Sequence, residues 1–223
     1  MTIQIIKEGN WDSPETKILA QALSLAEQGD HKLPHDLLTM TGMSGTKYRI
    51  FINQLVGLTA DARYLEIGSW QGSTACSAAH GNKVKVTCID NWYQGDSIKN
   101  AFLNNVKKYM TEGVEFFYEH NNFYDVDYTD IGKYNIYMFD GPHEKEDQYQ
   151  GLKLAQPALD DVFTLIVDDY NANRVIDGTQ EALRDLNLQV VASITVKTSN
   201  NPYLSKSDWH NGYYIAVIKK DNK

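Results

Sequence analysis

The sequence predicts a doubly wound α/β domain, with helices on both faces of a mostly parallel sheet. Three observations predict it. Apolar strand-like runs alternate with helical stretches along most of the chain. One run, Tyr64-Leu65-Glu66-Ile67, ends in the turn Gly68-Ser69-Trp70-Gln71-Gly72-Ser73, which opens a helix of small residues over 74–79. Acidic residues then stand where later strands end: Asp90, Asp140 and the pair Asp168-Asp169. Ligands of open α/β sheets bind beyond the carboxyl ends of the strands. These residues therefore mark one edge and one site.

The elements follow in order. Ser13-Pro14-Glu15 starts the first helix, with Ser13 as N-cap and Pro14 at the first helical position. That helix runs to about Gln28 and stops at Gly29-Asp30. Residues 31–43 read as irregular, and a second helix covers 46–56. Seven strands are expected, at 63–67, 84–89, 114–119, 134–139, 163–167, 189–196 and 213–218. Helices fall at 96–110, 145–155 and 178–186. Only a polar loop, 199–212, joins the final two strands. A hairpin is the simplest connection, which makes the last strand antiparallel. The expectation is a single domain over 1–223, with residues 1–58 a helical N-terminal cap over the ligand edge.

Composition sets the bounds. A chain of 223 residues suffices for one well-buried domain. A net charge of −8 argues against a nucleic-acid binder, which usually presents a basic face. No apolar run is long enough for a membrane span, and residues 1–10 contain Lys7 and Glu8 but no signal-peptide core. Cys76 and Cys88 fall in a helix and a strand, where a reduced, buried thiol is the usual state. A cytoplasmic protein is expected. Self-association is left open.

The turn carries the first chemistry. Its glycines let the backbone bend tightly and come close to a ligand, and the helix start offers unpaired N–H groups. Asp90 stands where an acid takes the two hydroxyls of a ribose. The spacing is not the G-x-G-x-x-G of dinucleotide sites. Glu66 beside the turn would repel a pyrophosphate but suits a ligand with an amino group and a sulfonium. The segment resembles motif I of the class I S-adenosylmethionine-dependent methyltransferases, whose domain is Rossmann-like. The resemblance places Glu66, Gly68, Gly72 and Ser73 around the amino-acid part of S-adenosylmethionine, with Asp90 on the ribose and Trp70 on the wall of the cofactor or acceptor pocket. It places Asn91 and Trp92 beside the ribose and adenine, and Asn122 and Phe123 on the adenine, with Asn121 a rival. Met43 and Ser44 would touch the methionine part, and Asp140 would border the cofactor.

The second chemistry lies on two strand ends. Three converging carboxylates, Asp140, Asp168 and Asp169, raise one another's pKa unless a cation is present. An all-oxygen set suits Mg²⁺, with Ca²⁺ or Mn²⁺ as alternatives, rather than Zn²⁺. The pattern resembles the divalent-metal-dependent O-methyltransferases, both catechol-type and those acting on antibiotic sugars. By that resemblance these three aspartates are metal ligands. His143 stands where catechol-type enzymes carry a catalytic lysine, and histidine is a competent base near neutral pH. The expected activity is methyl transfer to a hydroxyl of a small-molecule acceptor, without nucleic-acid or membrane partners. The alternatives are a metal-independent methyltransferase and a non-catalytic nucleoside-binding protein of the same fold. A nucleotide-dependent oxidoreductase is disfavoured by Glu66 and the glycine spacing. Residues 31–43, 171–177 and 199–212, with Tyr170, Tyr203 and Trp209, are expected to line the acceptor pocket.

Overall fold

A computed structural model of the protein describes residues 3–198 and 208–221. The chain runs β1 (Gln4–Gly9), α1 (Pro14–Gln28), α2 (His35–Leu38), α3 (Thr46–Leu58), β2 (Ala62–Ile67), α4 (Ser73–Ala79), β3 (Val84–Asp90), α5 (Asp96–Tyr109) and β4 (Val114–His120). It continues β5 (Tyr134–Phe139), α6 (Lys145–Ala155), β6 (Leu159–Val167), α7 (Asn173–Asp185), β7 (Leu188–Lys197) and β8 (Tyr213–Lys220). The sheet order is β1-β7-β8-β6-β5-β2-β3-β4. Strands β2 to β6 pair in parallel. Strand β8 lies antiparallel between β6 and β7, as the hairpin predicted.

The sheet has eight strands, not the seven expected. The extra strand is β1, which pairs antiparallel with β7 at the sheet's edge. Its residues, Gln4-Ile5-Ile6-Lys7-Glu8-Gly9, are partly or fully exposed. A strand with one neighbour and no buried face shows no clean apolar alternation to read. Helix α1 matches the sequence signals closely. Ser13 Oγ accepts the Thr16 N–H at 3.2 Å, and Gly29 closes the helix in the left-handed region at φ 72°.

Alternation along β2 decides where the side chains go. Tyr64 joins the core under α1, α3 and α4, whereas Leu65 and Ile67 join the core under α6 and α7. Glu66 shares Tyr64's face. The N-terminal helices cover that face of the sheet through Leu19, Phe51 and Ile52. The loop 41–45 between α2 and α3 reaches the ligand edge. Successive strands are added outward in opposite directions from β2 and β5, so the edge between them is the crevice where open sheets bind ligands.

Candidate active site

The glycine turn is locked to its neighbours by backbone. Gly68 donates its N–H to the Ile89 carbonyl, and Asp140 donates its own to the Ile67 carbonyl, both at 2.9 Å. Gly68 sits at φ 87°, and a Cβ there would run into the Asp140 carbonyl. Asp90 ties down two loops at once. One oxygen accepts the Trp70 N–H and the other the Trp92 N–H, each at 2.7 Å. Trp70 and Trp92 are both at positive φ, 47° and 41°. The carboxylate holds these left-handed bends and keeps lone pairs free for ligand hydroxyls.

These loops wall a cleft of about 640 Å³. Gly68, Trp70, Ser73, Asp90, Asn91, Trp92, Asn122, Phe123, Asp140, Met43, Ser44 and His143 all line it. Glu66 and Gly72 do not. Glu66 is only 1% exposed and faces the core behind the turn, because the alternation of β2 turns it there. Burial pushes its pKa up to about 8, against the pull of hydrogen bonds that include the Tyr64 hydroxyl. Gly72 caps α4 at φ 81°, where a Cβ would meet the Phe102 ring behind the cleft. Asn122 Oδ1 accepts the Tyr124 N–H at 3.1 Å, which folds Phe123 and Tyr124 over the far end. Asn121, the rival for the adenine, also lines the cleft, as do Ser69, Gln94, Tyr124 and Asp147, which were not singled out in the sequence. Ser69 carried a legible signal, since it lies inside the glycine turn. Asp147 lies on α6, far along the chain from the motif, and Tyr124 donates to it at 2.8 Å.

The second half of the site is ionic. His143 Nε2 stands 3.0 Å from Asp169 Oδ2 and 3.8 Å from Asp140 Oδ1. The Asp140 and Asp169 carboxylates hold the imidazole up to about 10. Burial raises Asp140 to about 6. Asp169 is half-buried, yet the adjacent imidazolium takes it below its ordinary value. Asp168 is 4% exposed, and burial next to Asp140 and Asp169 raises it well above the carboxylate range. His143 also borders a second, polar cavity with Asp169, Asn171, Ala172, Arg174 and Asn211. The imidazole thus stands at the junction of two chambers.

The turn, the acid at the end of β3 and the strand order coincide with one family. Residues 65–170 match a family described as a methyltransferase domain. Over residues 65–170 the chain carries a methyltransferase domain. No curated protein matches the sequence. Solved structures share this methyltransferase fold. An O-methyltransferase from Bacillus cereus in complex with S-adenosylhomocysteine is 15% identical, with a TM-score of 0.57 over 91% of each chain. An S-adenosylhomocysteine-bound methyltransferase of Podospora anserina is 13% identical, with a TM-score of 0.60 over 92% of this chain and 88% of that one. The O-methyltransferase TomG from Streptomyces achromogenes, involved in tomaymycin synthesis and bound to S-adenosylmethionine, is 15% identical. Its TM-score is 0.54 over 91% of this chain and 90% of that one.

Within the site the three aspartates stand close enough to act on one another's charge, with the His143 imidazolium against two of them. Asp140 borders the large cleft, Asp169 the second cavity and Asp168 neither. Among the described residues no three His, Cys, Asp or Glu side chains form a metal-holding group. The His143 imidazolium takes the charge-balancing place between Asp140 and Asp169. As arranged, the imidazolium answers two of the carboxylates and Asp168 Oδ1 is left without a partner. Two aromatic residues expected at the acceptor are core instead. Trp209 is fully buried, with Tyr48, Phe51 and Tyr213 around it. Tyr170 stacks on Tyr214 at 4.9 Å. Tyr203 lies outside the described residues. Of residues 31–43 only Met43 reaches the cleft, while Leu33 and Leu37 are buried beneath it.

Proposed function

We propose that the protein transfers the methyl group of S-adenosylmethionine to a hydroxyl oxygen of a small-molecule acceptor. The observation that carries this reading is His143, placed between Asp140 and Asp169 where the large cleft meets the polar cavity. Bound in the large cleft, S-adenosylmethionine supplies a methyl group already activated on a sulfonium. Gly68 lets the backbone close on the amino-acid portion, and Asp90 accepts from the ribose hydroxyls. The acceptor enters from the second cavity with its hydroxyl beside His143.

A charged imidazole has no lone pair to take a proton. His143 therefore acts as a donor that steadies the oxygen as it loses its proton, a change from the base expected by position. Asp140, ionised near neutral pH and facing the cleft, takes that proton. The new bond joins the acceptor oxygen to the methyl carbon while the carbon–sulfur bond breaks and its electron pair returns to sulfur. The proton on Asp140 passes to water afterwards. Much of the rate gain comes from aligning the two reactants across the junction.

Metal dependence is the finer question. An unpartnered, buried Asp168 Oδ1 is the observation that favours a cation. Methyl transfer measured with and without EDTA decides it. Activity within about twofold of the untreated protein is expected, and a loss restored by Mg²⁺ would establish the metal-dependent reading.

A further inference from the structure

The second cavity is small, polar and short of one negative charge. It measures about 270 Å³, against about 640 Å³ for the cleft. Its wall is His143, Asp169, Asn171, Ala172, Arg174 and Asn211, so among the described residues no aromatic or branched aliphatic side chain lines it. Such a wall has little to offer a phenol ring or a hydrophobic chain. It suits a compact, hydrophilic acceptor.

Most polar groups on that wall are already engaged. Asn171 donates to the Thr198 carbonyl at 3.2 Å and to its hydroxyl at 2.9 Å, and accepts the Thr198 N–H at 3.3 Å. Asp169 faces the His143 imidazole at 3.0 Å, and the Asn211 side chain also stabilises its charge. Arg174 is the exception. It stands in the first turn of α7, where its Nε donates to the His143 carbonyl at 2.9 Å and orients the guanidinium. Among the described residues neither of its Nη nitrogens donates a hydrogen bond. Glu144 comes only to 3.7 Å from Nε and is 73% exposed, a solvated pair of the kind that contributes little.

His143 and Asp169 answer each other, so the guanidinium is the uncompensated charge of the cavity, in a chain whose net charge is −8. Its donors form a planar fork that matches a carboxylate in two parallel bonds. One unanswered positive charge matches a single negative one. A phosphate dianion would bring a second charge against Asp169. A hydroxyl beside the imidazole and a carboxylate on Arg174 share one small chamber, and therefore belong to one small molecule.

We propose that the second cavity binds a carboxylate of the acceptor through Arg174, which makes the acceptor a small aliphatic hydroxy acid, sugar acids included. The inference rests on this cavity taking the acceptor of the methyl transfer. Arg174 sets specificity and takes no part in the proton transfer.

NMR titration of the full chain with lactate and with lactamide, which keeps the hydroxyl and loses the charge, tests it. Lactate should bind at least about tenfold more tightly and move the Asn211 side-chain amide signals. Arg174→Gln should abolish that preference, and Arg174→Lys should keep part of it. The side chain is 57% exposed, so both variants should keep the wild-type denaturant midpoint. Failure of lactate to bind, equal binding of the two ligands, or a preference that survives Arg174→Gln would overturn the proposal. So would inorganic phosphate binding more tightly than lactate. This titration needs no methyl donor, and S-adenosylhomocysteine binding is measured separately by calorimetry. Absence of that binding would sink the methyl-transfer reading, and the role of acceptor with it, while the carboxylate preference would remain.

Discussion

Around the glycine turn, position is set by backbone. Gly68, Asp90 and Asp140 hold one another through N–H groups of β-strand ends, and three left-handed bends are fixed within a few residues. Around His143, position is set by charge. An imidazolium between two aspartates holds the β5 and β6 ends together, backed by the Arg174 guanidinium donating to the His143 carbonyl at 2.9 Å. A backbone lattice is rigid and indifferent to pH. An ionic lattice can exchange a proton or a partner during turnover. The contrast teaches which half can recognise a fixed ligand and which can do chemistry.

The sharpest way to break the comparison is His143→Ala. The methyl-transfer kcat should fall by about 10²–10⁴-fold, the usual range for losing a proton-handling group. S-adenosylhomocysteine affinity, measured by calorimetry, should stay within about threefold. A parallel loss of affinity would show that the two halves are one unit. The pH profile sharpens the point. In wild type, kcat/KM should rise through about 6 as Asp140 ionises and decline toward about 10 as His143 loses its proton. His143→Ala should lack the alkaline limb. A wild-type profile that climbs through the neutral range to a plateau would instead make His143 the base.

Gly68→Ala attacks the other half. A side chain at φ 87° facing the Asp140 carbonyl should cost about 2–4 kcal/mol of stability, read from the denaturant midpoint, and should weaken S-adenosylhomocysteine binding strongly. An alanine variant with unchanged affinity would show that the turn is not pre-built.

The smallest effect belongs to Glu66, behind the turn. Its folded pKa is raised above the unfolded value by burial, so its contribution to stability is fully present below the unfolded pKa of about 4.5. That contribution is lost as pH rises through the folded value of about 8. Glu66→Gln should flatten the dependence and raise stability near pH 9 by about 1–2 kcal/mol in urea unfolding. Identical curves for the two proteins would remove the burial argument.

The backbone-built half was legible in the sequence because strand, glycine turn and terminal acid are contiguous. Gly68, Asp90 and their neighbours line one cleft. Glu66 is buried beside the turn rather than lining the cleft, because alternation with Tyr64 decides which face of β2 it occupies. The charge-built half was only partly legible. The strand ends of β5 and β6 were readable, but side-chain direction at Asp168 and Asp169 depends on a left-handed bend at Asp169, φ 54°, that no spacing reveals. Arg174 falls in the 171–177 stretch expected at the acceptor, but nothing there singles out its charge, since an arginine ordinarily reads as part of a solvated face.

Strand β1 has a consequence for how the sheet is assembled. Its partner β7 lies near the opposite end of the described chain, with Gln4 opposite Lys197. Of the described strands β1 comes earliest in the chain, and its partner β7 is nearly the last to be made. The pairing closes a loop of nearly the whole described chain, and such contacts form late. Until then β7 presents a free edge to any other chain. A nascent molecule is therefore most prone to mispairing at the edge farthest from its glycine turn, and β1 works as an intramolecular seal on the finished sheet.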